Sequence, residues 1–216
     1  MMDLDAASLK DIDRRTLRYH TADGLYQLMG GALFTFLGAQ GLIVLTVPEG
    51  PLRWIYFILG QCVLMLVALA ALRVVQRLKA RITYPRAGYA GIDPPSKARI
   101  TAALLVGLFW SAATPWQLVL LLRKPSYAQL MPLAPLMVGV FWAVVTVAAW
   151  VRERDPHWLG VAAVALASGL WAYHLKAVPS GMFWVLVSMG VASLVLGTVR
   201  LRRFLRENPK PAETEA

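Results

Sequence analysis

The chain has 216 residues, 58% of them hydrophobic and only 16% charged, where a soluble domain carries about 25% charged residues. Its charges gather in short intervals between long apolar runs, which excludes an ordinary soluble fold and implies an all-α integral membrane protein. The net charge of +10 does not point to nucleic acid, because the basic residues stand at the ends of apolar runs, where the bilayer's anionic headgroups account for them.

A helix needs about 20 apolar residues to cross a hydrocarbon core of about 30 Å, and six stretches qualify or nearly qualify. Residues 1–24 are polar, and Ser8, Leu9, Asp11, Ile12, Thr16 and Tyr19 fit either a short amphipathic helix on the membrane surface or a frayed tail. The first apolar run is too long for a signal-peptide core and is expected to be retained. It forms a first span over 25–47, with Gly31, Thr35 and Ala39 as a small-residue stripe at four-residue spacing. Pro48-Glu49-Gly50-Pro51 is a turn. The second span covers 52–72 and continues as a helix with an apolar stripe at Leu72, Val75, Leu78 and Ile82. Pro85 is expected to end that helix near Thr83.

A long loop, 73–99, follows. The third span covers 100–122, kinked at Thr114-Pro115. The fourth covers 130–151, with Pro132 and Pro135 near its start. The fifth covers 157–175, with small pairs Ala163/Ala167 and Ala165/Gly169. The sixth covers 181–199. The tail, 200–216, is basic at first and then has a composition that favours disorder.

Six spans place both termini on one side. That side holds four basic residues in the N-terminal segment, seven in the long loop, two in the Arg152 turn and five in the tail, against Arg53, Arg123, Lys124 and Lys176 on the other. Both termini and the long loop are therefore expected in the cytoplasm. Trp54, Trp171 and Trp184 fall near the outer ends and Trp150 and Trp158 near the inner ends, as interfacial belts require. Trp110 and Trp142 lie deeper, between helices.

The long loop is the candidate docking surface. Arg73, Arg77, Arg81, Tyr84, Arg86 and Tyr89 offer it charge and ring faces for a cytoplasmic protein partner or an anionic lipid headgroup; the alternative is a tight, lipid-anchored loop whose tyrosines sit at the interface. Its run Ile82-Thr83-Tyr84-Pro85-Arg86-Ala87-Gly88-Tyr89 resembles the Thr-Tyr-Pro-Arg-Thr-Gly-Tyr segment in a cytoplasmic loop of an uncharacterised family of bacterial multi-span proteins, with Ala87 in place of threonine. The Asp23-Gly24-Leu25 approach to the first span and Phe204-Leu205-Arg206-Glu207-Asn208-Pro209 after the last are similar too. The resemblance implies a multi-pass protein of a bacterial inner membrane and carries no known activity.

Within the spans no acidic or basic residue lies deep, which argues against proton coupling. Gln40, Gln61, Ser111, Gln117, His174 and Ser188 form either a neutral polar pocket or hydrogen bonds between helices. Ser168 and His174 suggest an intramembrane serine protease. Rhomboid proteases, however, carry Gly-x-Ser-Gly, and Leu166 stands two before Ser168. The two side chains also sit about 240° apart on one helix, so no base activates the hydroxyl. His20, His157 and His174 are scattered, Cys62 stands alone, and no metal or cofactor motif is present. The leading expectation is a non-catalytic subunit, adaptor or regulator acting through the long loop. A small carrier for a neutral or lipid-like solute is the alternative, and an intramembrane enzyme the third.

Overall fold

The computed structural model describes residues 23–87 and 131–209. The predicted N-terminal helix, the third span with its Thr114-Pro115 kink, Tyr89, Trp110, Ser111, Gln117 and the last seven residues lie outside them. Among the described residues, all regular structure is helical. The elements are α1 (Leu25–Thr46), α2 (Pro51–Leu78), a π-helical turn (Lys79–Thr83), α3 (Tyr84–Ala87), a 3-10 turn (Met131–Leu133), α4 (Ala134–Glu153), α5 (His157–His174) and α6 (Ser180–Glu207).

Local chemistry sets these boundaries. Asp23 opens α1 by accepting the Leu25 N–H at 3.0 Å, which supplies one of the acceptors a helix start lacks. The Pro48–Pro51 turn reverses the chain, and Pro51 opens α2, where its fixed φ suits the first helical turn and no N–H is needed. Asp155 repeats the Asp23 device at α5, accepting the His157 N–H at 3.1 Å.

Two helices run further than their apolar spans. Pro85 does not end the helix near Thr83; the coil continues to Ala87. At Lys79–Thr83 the hydrogen-bond ladder widens, and the Tyr84 N–H bonds to the Lys79 carbonyl five residues back. Such a bulge shifts the carbonyls out of α register, so the Pro85 ring escapes the clash that would otherwise break the helix. Similarly, α6 passes Val199 and reaches Glu207, carrying the tail's arginines on an ordered helix.

The tightest packing joins α1 to α6, antiparallel. A β-carbon built on Gly31 would meet the Leu194 amide N at 2.7 Å and the Gly190 carbonyl O at 2.8 Å; one on Gly38 would meet the Phe183 carbonyl O at 2.7 Å. From the other side, a β-carbon on Gly197 would meet the Leu28 N at 3.0 Å. The stripe thus runs through Gly24, Gly31 and Gly38 at seven-residue spacing, facing Gly197, Gly190 and Phe183. Of the expected Gly31, Thr35 and Ala39, the first two lie in the seam, Thr35 against Gly190, and Gly38 takes the place expected of Ala39. A seven-residue repeat keeps one face in contact along the whole helix, where a four-residue stripe drifts off the interface.

The α4–α5 hairpin closes in the same manner. A β-carbon on Gly139 would meet the Ala165 O at 2.6 Å, and one on Gly169 would meet the Gly139 Cα at 3.1 Å. The Ala165/Gly169 pair is the packed one; Ala163 and Ala167 face outward. Ala143, Val161, Ala162, Ala165, Val185 and Met189 form the core between α4, α5 and α6, with Trp142 against it. Trp142 also meets the Phe34 ring edge-on at 4.7 Å, which brings α1 onto α4.

The exterior is apolar. Ile55, Leu59, Val63 and Leu66 on α2, Val140, Phe141 and Val144 on α4, and Val191, Val195 and Val199 on α6 are all exposed, as lipid-facing side chains are. Among the described residues, four helices are long and apolar enough to cross a membrane: Leu25–Thr46, Pro51–Arg86, Met131–Val151 and Ser180–Glu207. The 18-residue α5 is about 27 Å long.

Candidate functional site at the charged end of the bundle

The starts of α1 and α5 and the ends of α2 and α6 meet at one end of the bundle, and there the inward-turned charges pair. Lys79 Nζ lies 2.9 Å from Asp23 Oδ2, with both side chains essentially buried (1% and 0% exposed). The Thr83 hydroxyl donates to the same Oδ2 at 2.8 Å, and Lys79 also stands over the Tyr26 ring, 4.6 Å from its centroid. Asp23 therefore uses one oxygen for its own helix start and the other for two side chains of the π turn.

A second pair stands beside the first. Arg200 Nη1 donates to Asp155 Oδ2, and His157 Nδ1 lies 2.7 Å from Asp155 Oδ1. The two pairs adjoin through Gly24, on which a β-carbon would lie 3.1 Å from the Arg200 Cβ. Both acids precede a helix, where the helix dipole favours negative charge, and both draw a cation from another helix. Around them, Trp158 Nε1 donates to Glu153 at 2.9 Å and Arg203 donates to Glu207 at 2.7 Å.

This arrangement divides the basic loop start into two faces. Val75, Lys79 and Thr83 form the buried line, displacing the expected apolar line, in which Leu72 is exposed and Leu78 and Ile82 are half-buried. Arg73, Arg77 and Arg81 lie exposed at four-residue spacing, so they share the opposite side. Tyr84 and Arg86 are half-buried. The Arg86 Nε and Nη1 atoms are buried and have no hydrogen-bond partner among the described residues.

Among the described residues, no hydrogen bond joins Gln40, Gln61, His174 and Ser188 to one another. Gln40 Nε2 donates to the Phe57 carbonyl at 3.2 Å, bridging α1 and α2. Gln61 is half-buried on α2 and His174 is exposed at the end of α5, its ring beside Tyr173. The Ser188 hydroxyl donates to the Trp184 carbonyl of its own helix at 2.8 Å. Ser168 likewise donates to Val164 O at 2.7 Å. No group of three metal-ligating side chains occurs among the described residues.

Sequence reading missed the pairing of Asp23 with Lys79 and of Asp155 with Arg200. The available signals were an aspartate two residues before each helix start and a lysine four residues after Val75, in line with the buried face. The fold and site define an α-helical bundle with a lipid-type exterior, pinned at one end by two adjoining ion pairs. No protein-family model, curated protein or solved structure matches the chain.

Proposed function

We propose that this protein is a non-catalytic subunit, adaptor or regulator of a bacterial inner membrane that presents the Arg73, Arg77 and Arg81 face to an acidic cytoplasmic protein. The carrying observation is the anchoring of this segment: Asp23 holds Lys79 and Thr83, so the exposed arginines between and before them stand on a fixed helix. A preordered surface loses less entropy on docking than a floppy basic loop. Charge reversal at Arg77→Glu and Arg81→Glu together is expected to cut co-purification of the partner by at least about tenfold, at unchanged thermal unfolding. Retention at the wild-type level counts against the reading.

The proposal includes six spans with both termini cytoplasmic. Helix directions support it: α1 is antiparallel to α2 and α6, and α5 is antiparallel to α4 and α6, so α2 and α4 run the same way. The end of α2 and the start of α4 therefore lie at opposite ends of the bundle, as a further span between them requires. A reporter fused after Ala216 is expected to be active only in the cytoplasm, and one inserted after Glu49 only outside. Reversal of either sinks the topology.

A further inference from the structure

On α6 the outward apolar face runs on into arginine. Val191, Val195 and Val199 are exposed, and so are Arg202 and Arg206. At about 100° per residue these five side chains fall within an arc of about 80°, so they form one outward line. The opposite face is buried at Gly190, Ser193, Gly197 and Phe204, which holds the helix to the bundle and fixes the direction of both arginines. Glu207 takes Arg203, at 2.7 Å, and leaves Arg202 and Arg206 as the charge of this line.

Depth names the group this line meets. The apolar stretch 181–199 is about 28 Å long, close to one hydrocarbon thickness. Arg202 and Arg206 follow about 5 and 10 Å beyond Val199, across the headgroup layer, and a long arginine stem can lean back toward it. An outward face at that depth, continuous with tail-facing valines, borders on lipid molecules. Exposed cations there are drawn to an anionic leaflet. We infer that Arg202 and Arg206 seat α6 on the headgroups of anionic phospholipids. The inference rests on the membrane placement proposed above and not on the protein partner. Its test contains no second protein, so the two readings fail separately.

The test reads the lipid at this face alone. In the full chain carrying Cys62→Ala, Val199→Cys receives a bimane fluorophore, and the protein is placed in bilayers of equal phosphatidylcholine and phosphatidylglycerol. A nitroxide near the headgroup end of the acyl chain is carried by one lipid or the other. Quenching is expected to show phosphatidylglycerol preferred over phosphatidylcholine by at least about fivefold, the effect of one cation near an anionic surface. Adding Arg202→Gln and Arg206→Gln should bring that ratio to about one. Arg202→Lys with Arg206→Lys should keep it within about twofold of the parent, because attraction to a leaflet follows charge. Both positions are exposed, so these changes leave the fold little affected. Equal quenching by the two lipids in the parent overturns the inference. An unchanged preference in the glutamine variant also overturns it and returns this face to an acidic protein.

Discussion

Replacing Asp23 with alanine is expected to cost about 3–5 kcal/mol of stability, because it strands a buried ammonium. Lys79 is 1% exposed and its carboxylate partner is 2.9 Å away. The same change removes the acceptor of the Thr83 hydroxyl and of the Leu25 N–H, so the start of α1 and the π turn loosen together. The pair's net contribution is a separate quantity. Two charges taken from water recover little more than their desolvation cost, and well-packed apolar replacements of such pairs are often neutral or better. The double variant Asp23→Ala, Lys79→Met should accordingly be more stable than Asp23→Ala alone. Thermal unfolding of these two variants, of Lys79→Met alone and of wild type in one detergent gives the coupling. A single variant as stable as wild type would mean that Lys79 reaches solvent.

The second large effect is expected at the α1–α6 seam. Gly31→Ala places a β-carbon 2.7 Å from the Leu194 amide N and 2.8 Å from the Gly190 O. Both are backbone atoms of a packed helix, so relief requires moving α6 and not just a rotamer. A loss of about 1–3 kcal/mol is expected. The adjacent Gly30 is the control, since a β-carbon there meets nothing within 4 Å. Gly30→Ala should be neutral or stabilise by up to about 1 kcal/mol through helix propensity. Two neighbouring glycines with opposite outcomes in the same unfolding assay identify packing, not backbone flexibility, as the cause. Equal outcomes would contradict the seam.

The apolar helices were legible because their signal is local. Run length and the turns at Pro48–Pro51, Arg152–Pro156 and Lys176–Ser180 depend only on neighbouring residues, and α1, α4 and α5 begin and end within a few residues of expectation. Pro85 misled because a proline's effect depends on the hydrogen-bond register before it, and a one-residue widening at Lys79–Thr83 carries no composition signature. Gly38 and not Ala39 lies in the seam because the partner helix, with Phe183 145 positions further along the chain, decides which spacing stays in contact.

The charged site was hidden for a related reason. Lys79 reads as one more cation in a basic stretch, and what turns it inward is Asp23, 56 positions earlier. Nothing in the lysine's own surroundings names that partner. The exposed set Arg73, Arg77 and Arg81 was legible, since four-residue spacing on a helix is a local property.

The bundle is proposed to work as a membrane partner of another protein. Native mass spectrometry of the wild-type chain, extracted gently from its own membrane, tests it most directly. A stoichiometric protein companion is expected, and it should be lost when Arg77 and Arg81 are reversed. A bundle that leaves the membrane with lipid alone, identically in wild type and variant, would contradict it.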